Sequence, residues 1–133
     1  MAILFVIFLL LSLTTAQNKI HECFKVTEKV TQNNSTLVIN AFGNMCDCTD
    51  SDLSQYKSTI TTLQFADTVT SIGRKCFSRF IQLTSIQFGS GIEAIQSFAF
   101  YGAVQLETLV IPENVIVIHE KAFFFCKIKI CYI

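Results

Sequence analysis

The amino-acid sequence predicts a β-rich repeat solenoid: three stacked 23-residue repeats of short parallel strands and helical turns, preceded by an N-terminal β cap. Two observations lead to this fold class. Apolar residues recur at a spacing of 23 positions along the second half of the chain. Within each period, turn-forming residues separate two short extended segments, as in solenoids built from one supersecondary unit.

The 23-residue spacing is kept by seven columns of residues without an insertion. A single unit of this size cannot bury its own apolar face, so stacked units must cover one another and link their strands in parallel. The columns are Ile60, Leu83 and Leu106; Leu63, Ile86 and Leu109; Phe65, Phe88 and Ile111; Val69, Ile92 and Val115; Ile72, Ile95 and Ile118; Cys76, Ala99 and Ala122; and Phe77, Phe100 and Phe123.

Each unit combines a strand, a turn, a second extended piece and a closing segment. The segment 83–88 alternates at its end as a half-buried strand does, and 89–91 has turn chemistry. The closing segments 74–77, 96–100 and 120–123 each contain a small residue followed by Phe, which predicts a helical turn with the Phe pointing inward.

The N-terminal segment belongs to a different class of sequence. Residues 2–13 are apolar except for Ser12, a run too short to span a membrane but typical of a signal peptide. Small residues at Thr14 and Ala16 predict cleavage before Gln17, although no Lys or Arg precedes the run. An uncleaved anchor or a buried N-terminal segment is the alternative. We therefore divide the chain into a signal peptide at 1–16, a cap at 17–58 and a solenoid at 59–133, with no membrane span in the mature chain.

The repeat pattern also resembles a known family. The string Leu106-x-x-Leu109-x-Ile111-Pro112-x-x-Val115-x-x-Ile118-x-x-x-Ala122-Phe123-x-x-Cys126 resembles the BspA-like leucine-rich repeats of surface and secreted antigens, and the resemblance covers 59–126. The segments 35–40 and 43–45 look like the lead-in of that family. The family often has Pro at the position of Gly89 and Cys at that of Ala103. After Cys126 the pattern slips, because the next apolar column falls on Lys129, between Ile128 and Ile130. The resemblance implies a leucine-rich-repeat fold and surface display, adhesion or host contact.

The strand positions between the core residues predict an outward-facing surface, which we call the β face. In a solenoid such a face often binds partners, and the alternative is a solvated strand surface. Its residues carry hydroxyls and amides but few charges, so we expect weak, multivalent contact with a protein or glycan on another cell or in the matrix. The β face comprises Thr61, Thr62, Gln64, Thr84, Ser85, Gln87, Glu107, Thr108 and Val110.

All six cysteines follow the predicted signal peptide, which favours disulfides in an oxidising compartment. We expect Cys23 to pair with Cys46 or Cys48 in the cap, and Cys126 with Cys131 at the far end. Cys76 shares a column with alanines, so we expect a buried free thiol there.

Two other motifs suggest modification or metal binding. Asn33 and Asn34 each begin a glycosylation sequon, in a polar stretch that a secreted protein would expose. The pair Cys46-x-Cys48 has no second close pair or nearby histidine to complete a zinc site, so we expect no metal.

The composition narrows the classes of function. Lys and Arg total 10 and Asp and Glu total 10, so bulk charge predicts no binding to nucleic acid or to an anionic membrane. His21 and His119 are the only histidines, and no nucleophile elbow, zinc-protease helix or phosphate loop is present. We expect no enzyme and no cofactor. The prediction is a secreted or extracellular-surface binding module or surface antigen; the alternatives are a truncated family copy acting as a soluble antigen and, more remotely, a hydrolase.

Overall fold

The computed structural model describes residues 24–31 and 34–132, which wind as a β-solenoid of about four turns with almost no helix. The predicted fold class is therefore confirmed. The predicted signal peptide at 1–16 lies outside the described residues. The described elements are a 3-10 helix, Ser54–Tyr56, and the strands β1 Lys25–Thr31, β2 Asn34–Asn40, β3 Gly43–Asn44, β4 Thr62–Phe65, β5 Val69–Ile72, β6 Ser85–Gln87, β7 Ala94–Ile95, β8 Thr108–Ile111, β9 Val117–Ile118 and β10 Lys129–Tyr132.

The strands form three sheets that run along the solenoid axis. One has the order β1-β2-β4-β6, a second has the order β3-β5-β7-β9, and β8 pairs with β10 in a third that contacts β6. All pairings are parallel except β1 with β2. The antiparallel β1 covers the outer edge of β2, which is the predicted N-terminal β cap.

The strand registers confirm the predicted columns. Leu63 pairs with Ile86, and Ile95 pairs with both Ile72 and Ile118. The cap continues the stack at a different spacing, because Leu37 pairs with Leu63, 26 positions later. Since each of these strands places its apolar side chains on the inside, one core runs from the cap into the repeats.

The segments predicted as helical turns are not helical. Lys75, Phe98 and Lys121 have positive φ angles of 61°, 59° and 56°, which interrupts a right-handed helix. Their neighbours donate hydrogen bonds to the next repeat instead: the Phe77 amide reaches the Ala99 carbonyl at 2.9 Å, and the Phe100 amide reaches the Ala122 carbonyl at 2.8 Å. The turns thus form a hydrogen-bonded ladder of their own, which stabilises the stack as the strands do.

The Phe column forms the centre of the core. Phe77 and Phe100 are fully buried, as predicted, whereas Phe123 is half-buried. The rings stack face to face, with centroids 5.6 Å apart for Phe77 and Phe100 and 5.1 Å apart for Phe100 and Phe123. Phe65 meets both Phe77 and Phe100 edge-on. These contacts connect the turns to the strands across the inside of the solenoid.

The corners between the two long sheets are held by side-chain hydrogen bonds between repeats. The Asp67 carboxylate accepts from the Ser90 amide at 2.8 Å, and this bond holds the pKa of Asp67 below its ordinary value. In the next repeat the Asn114 side-chain amide donates to the Ser90 carbonyl at 2.7 Å. Each polar corner therefore orients the one beside it.

The last strand departs from the 23-residue period. Ile130 pairs with Leu109 and Lys129 pairs with Thr108. The predicted slip of the pattern after Cys126 is confirmed, because the final turn is two residues shorter than the 23-residue repeats. The shorter turn brings Lys129 beside the β face, where it extends the strand surface.

Candidate binding surfaces

The β face is mostly exposed, but less uniformly than predicted. Gln64, Gln87 and Val110 form an exposed column. Exposed residues also include Thr84, Glu107 and Thr108, whereas Thr61 and Ser85 are half-buried. Gln64 and Gln87 are register partners on neighbouring strands, so their side chains start from adjacent positions. Their amides are the clearest polar features of the surface.

Thr62 departs from the prediction that its side chain faces solvent. It is only 5% exposed. Its strand lies between β2 and β6, and its register partners Thr36 and Ser85 flank it on both sides. Because neighbouring strands lie about 4.8 Å apart, a small side chain between two others is covered by them. Thr62 is therefore part of the packed sheet and not of an accessible binding surface.

The threonines that precede the strands bind the neighbouring backbone. The Thr61 hydroxyl lies 3.3 Å from both the amide and the carbonyl of Ser35, and the Thr84 hydroxyl donates to the Thr61 carbonyl at 3.2 Å. Their hydroxyls hold consecutive repeats in register. Sequence reasoning assigned them to partner binding because a threonine column has the same appearance in either role.

A surface cavity of about 370 Å³ lies at the last strands of the β face. Glu107 and Thr108, at the start of β8, line it together with Lys127, two residues before β10, and Lys129, the first residue of β10. Neither lysine was among the residues predicted for the β face, because the shortened final turn moves both out of the 23-residue register. They give this end of the β face two cations beside one carboxylate.

The outward side of the turns forms a second surface, which we call the turn face and which comprises 74–79, 97–102 and 120–125. It carries the aromatic residues that the β face lacks. Phe124 is 48% and Phe125 is 64% exposed, and Phe98 and Tyr101 are half-buried. Tyr101 stacks on Phe124 with ring centroids 6.1 Å apart. The predicted helical turns concealed this surface, because they assigned the aromatic residues of these segments to the core.

Cations surround the aromatic residues of the turn face. The Arg74 guanidinium lies 5.9 Å and the Lys121 ammonium 5.5 Å from the centre of the Phe98 ring, within the range of a cation–π interaction. A cavity of about 190 Å³, the turn-face cavity, opens beside this ring. It is lined by Asp50, Lys75, Ser78, Arg79, Phe98 and Tyr101.

The disulfide in the described part of the chain joins the cap to the first repeat. Cys48 and Cys76 are bonded, with Cα atoms 4.7 Å apart. The prediction that Cys76 is buried is confirmed, but the prediction of a free thiol is wrong. The turn that contains Cys48 stacks directly on the turn that contains Cys76. Gly73 permits this approach, since a Cβ there would overlap the Cys46 carbonyl oxygen.

The remaining cysteines follow the prediction only in part. Cys46 is disulfide-bonded, and its predicted partner Cys23 lies outside the described residues. Cys126 is a free, half-buried thiol, so its predicted bond to Cys131 is wrong. The Cys126 sulfur lies 3.2 Å from the Phe100 carbonyl oxygen. Burial raises the pKa of the Cys126 thiol, and a hydrogen bond with the Ala103 backbone lowers it by a smaller amount.

Comparison with known families identifies the repeat. The family described as BspA type leucine rich repeat region (6 copies) matches residues 51–133, more than half of the chain. The chain belongs to this family. The BspA type match extends beyond Cys126, the last residue covered by the resemblance found in the sequence. A search of curated proteins finds no match.

Two solved structures share the fold of this BspA type chain. A leucine-rich repeat protein from Bacteroides capillosus aligns with a TM-score of 0.60 and 14% identity, over 88% of this chain and 99% of that one. A leucine rich cell surface protein from Faecalibacterium prausnitzii aligns with a TM-score of 0.54 and 21% identity, over 84% of this chain and 40% of that one. At these identities the likeness concerns the fold alone.

The remaining predictions concern glycosylation, the histidines, metal binding and membrane spans. Asn34 begins β2, whereas Asn33 lies outside the described part, so the glycosylation of both stays a prediction. His119 is exposed beside the third turn. Over 24–31 and 34–132, no three His, Cys, Asp or Glu side chains are grouped to hold a metal ion. No helix in those ranges is long and apolar enough to cross a membrane.

Proposed function

We propose that this BspA type protein is a non-catalytic binding module whose β face contacts a protein or glycan on another cell or in the matrix. The observation that carries the proposal is the column of Gln64, Gln87 and Val110. These side chains are exposed on strands whose alternate residues fill the core, so the fold does not use them for packing. Exposed side chains that packing does not use, held on a rigid ladder, are suited to contact with a partner.

The cavity at the last strands adds charge to this surface. Lys127, Lys129 and Glu107 stand at one end of an otherwise uncharged strip. Charged groups at the rim of an interface orient the partner more than they add affinity. We therefore expect the amides to supply most of the direct contacts and the lysines to favour a partner with acidic groups.

The small size of the β face sets the strength of binding. The strip spans a few strands at a spacing of about 4.8 Å, which is narrow compared with a standard interface of about 800 Å² per partner. It also lacks the Trp, Tyr and Arg anchors on which tight complexes depend. The module would therefore bind weakly as a single copy and effectively when many copies are displayed together.

Secretion forms part of the proposal. It is supported by the apolar run at 2–13 and by the Cys48–Cys76 disulfide, because disulfides persist in oxidising compartments. Mapping the N-terminus of the exported protein would find Gln17. A product that retains Met1 would contradict the cleavage.

A matched pair of double variants tests the β face. Gln64→Glu/Gln87→Glu changes two exposed glutamines on the strands, and Gln82→Glu/Gln105→Glu changes two exposed glutamines at one repeat position outside the strands. Both add two negative charges in consecutive repeats. Tetramers of each variant would be applied to a glycan array and to immobilised extracellular matrix. We expect the strand variant to lose at least tenfold in binding and the control to retain it.

Thermal unfolding of both variants would establish that they are folded, since exposed substitutions change stability by only about 0.5 kcal/mol. Equal binding by the two folded variants would show that the β face is not the contact surface. Equal loss by both would show that the response depends on net charge and not on a site.

A further inference from the structure

The turn-face cavity lies where three consecutive turns meet. Asp50 comes from the cap, Lys75, Ser78 and Arg79 come from the first repeat, and Phe98 and Tyr101 come from the second. The solenoid therefore brings cations, a carboxylate, a hydroxyl and two aromatic rings to one place. None of these residues belongs to the β face, so a site here is independent of the proposed function.

One of the residues that line the cavity is a small member of an otherwise aromatic column. Ser78, Tyr101 and Phe124 occupy the same position in successive repeats. Tyr101 stacks on Phe124, with the two rings within 19° of parallel. Ser78 has no ring to continue that stack, and it lines the space beside Tyr101 instead. The space is therefore suited to a flat, ring-shaped ligand.

Ser78 adds a second indication of a ligand. It is 5% exposed, and its hydroxyl has no hydrogen-bond partner among the described residues. Buried hydroxyl groups in folded proteins normally have a partner. A polar ligand in the cavity would supply one, whereas an apolar ring would leave the hydroxyl unpaired.

The charges around the cavity define the ligand further. Lys75 and Arg79 line it, against the single carboxylate of Asp50. A guanidinium and an ammonium together favour a carboxylate, which Arg binds through two parallel hydrogen bonds. Asp50 is an acceptor for ligand hydroxyl groups. Small-molecule sites typically combine apolar walls with a few convergent polar groups of this kind.

We propose that the turn-face cavity binds an acidic sugar residue of a glycan, of the hexuronic acid class. The apolar face of the sugar ring lies on Tyr101, and the ring fills the place that Tyr101 and Phe124 occupy in the following repeats. The sugar carboxylate meets Arg79 and Lys75. Its hydroxyl groups donate to Asp50 and pair with Ser78.

Three small probes test each part of this recognition. Sodium glucuronate has both the ring and the carboxylate, glucose has the ring alone, and acetate has the carboxylate alone. Titrations of the full oxidised chain would be followed by amide chemical shifts in NMR spectra. We expect glucuronate to shift the amides of 75–79 and 98–101 at millimolar concentration, with glucose and acetate at least tenfold weaker. Equal affinity for acetate or for glucose would overturn the proposal.

Two lysines of the same column provide a matched control. Lys75 lines the cavity, whereas Lys121 contacts Phe98 outside it, and both have a positive φ. We expect Lys75→Gln to weaken glucuronate binding at least fivefold and Lys121→Gln to change it less than twofold. Equal effects of the two substitutions would indicate general charge attraction and would overturn the site.

Ser78→Phe tests the empty ring position directly. Phe is the residue at this position two repeats later, in Phe124. The substitution should abolish glucuronate binding. A folded Ser78→Phe variant that still binds glucuronate would overturn the proposal, and the two lysine variants decide the question if Ser78→Phe does not fold.

Binding of the wild-type chain to anionic lipid vesicles, without binding to glucuronate, would overturn the proposal and identify the turn face as a membrane contact instead.

Discussion

The β face and the turn face of this solenoid repeat with the same period but divide their residues differently. On the strands, side chains alternate between the two faces, so the apolar residues point inward. The outward positions carry short hydroxyl side chains and the amides of Gln64 and Gln87. On the turns, Phe100 is fully buried while Phe98 and Tyr101, two residues and one residue away, are half-buried. The comparison shows that the turns supply both the largest core residues and the aromatic surface.

The physical basis of this difference is backbone geometry. A strand places consecutive residues on opposite faces, and β2 and β6 cover the short outward side chain of Thr62 while the longer Gln64 stays exposed. Along a turn this alternation is lost, because the positive φ of Phe98 breaks the regular backbone, and the Phe98 ring is half-buried only two residues from the buried Phe100. The turns can therefore bury one Phe and expose another within a few residues.

The largest expected effect comes from the inward residue of the turn. Phe100→Ala removes a fully buried ring that stacks on Phe77 and Phe123, and should destabilise the protein by about 3–5 kcal/mol. Phe98→Ala removes a half-buried ring from the same turn and should cost less than about 1.5 kcal/mol. Chemical denaturation of the two variants measures the difference. Equal losses would show that the turn does not separate core from surface.

Removing the Cys48–Cys76 disulfide should have the next largest effect. The bond closes a loop with a sequence separation of 28, so Cys48→Ala/Cys76→Ala should destabilise the protein by about 3 kcal/mol. Alanine fits position 76 because Ala99 and Ala122 occupy the same column. Cys126→Ala is the control, since Cys126 is a free thiol and Ala103 precedes it in its column. A control that loses as much stability as the double variant would contradict the role of the bond.

The smallest of the three effects distinguishes two threonines that the sequence treats as equivalent. Thr62→Lys places a charge at a position that is 5% exposed and should cost about 1–3 kcal/mol. Thr108→Lys, at the matching position on an exposed strand, should change stability by less than about 0.5 kcal/mol. Thermal unfolding in the same buffer measures both. If Thr62→Lys were neutral, the centre of the β face would be open to solvent.

Several features were predictable because they depend only on spacing. The strand pairs Leu63 with Ile86 and Ile95 with Ile118 follow from the 23-residue period, and so does the burial of Phe77 and Phe100. A period of this length requires stacked units, and stacked units require parallel strands. The resemblance to BspA type repeats pointed to the same family as the comparison did.

Other features were not predictable because the spacing changes at both ends of the stack. Leu37 pairs with Leu63 across 26 positions, and Leu109 pairs with Ile130 across only 21. Because the cap is spaced differently from the repeats, the 23-residue period does not predict that Cys48 lies against Cys76. Because the last turn is shorter, the period does not predict that Lys129 lies beside Thr108. A constant period does not align either end with the central repeats.

The repeat, the stacking direction and the inward Phe column follow from the sequence, because hydrophobic periodicity requires those residues to be buried together. Which outward residues are accessible, and which of them lie together, depends on the packing of one repeat against the next. Burial of Thr62 depends on the strands at its sides, and the turn-face cavity depends on Ser78 standing beside the rings of the next repeat. Both result from contacts between repeats, which no single repeat specifies in its own sequence.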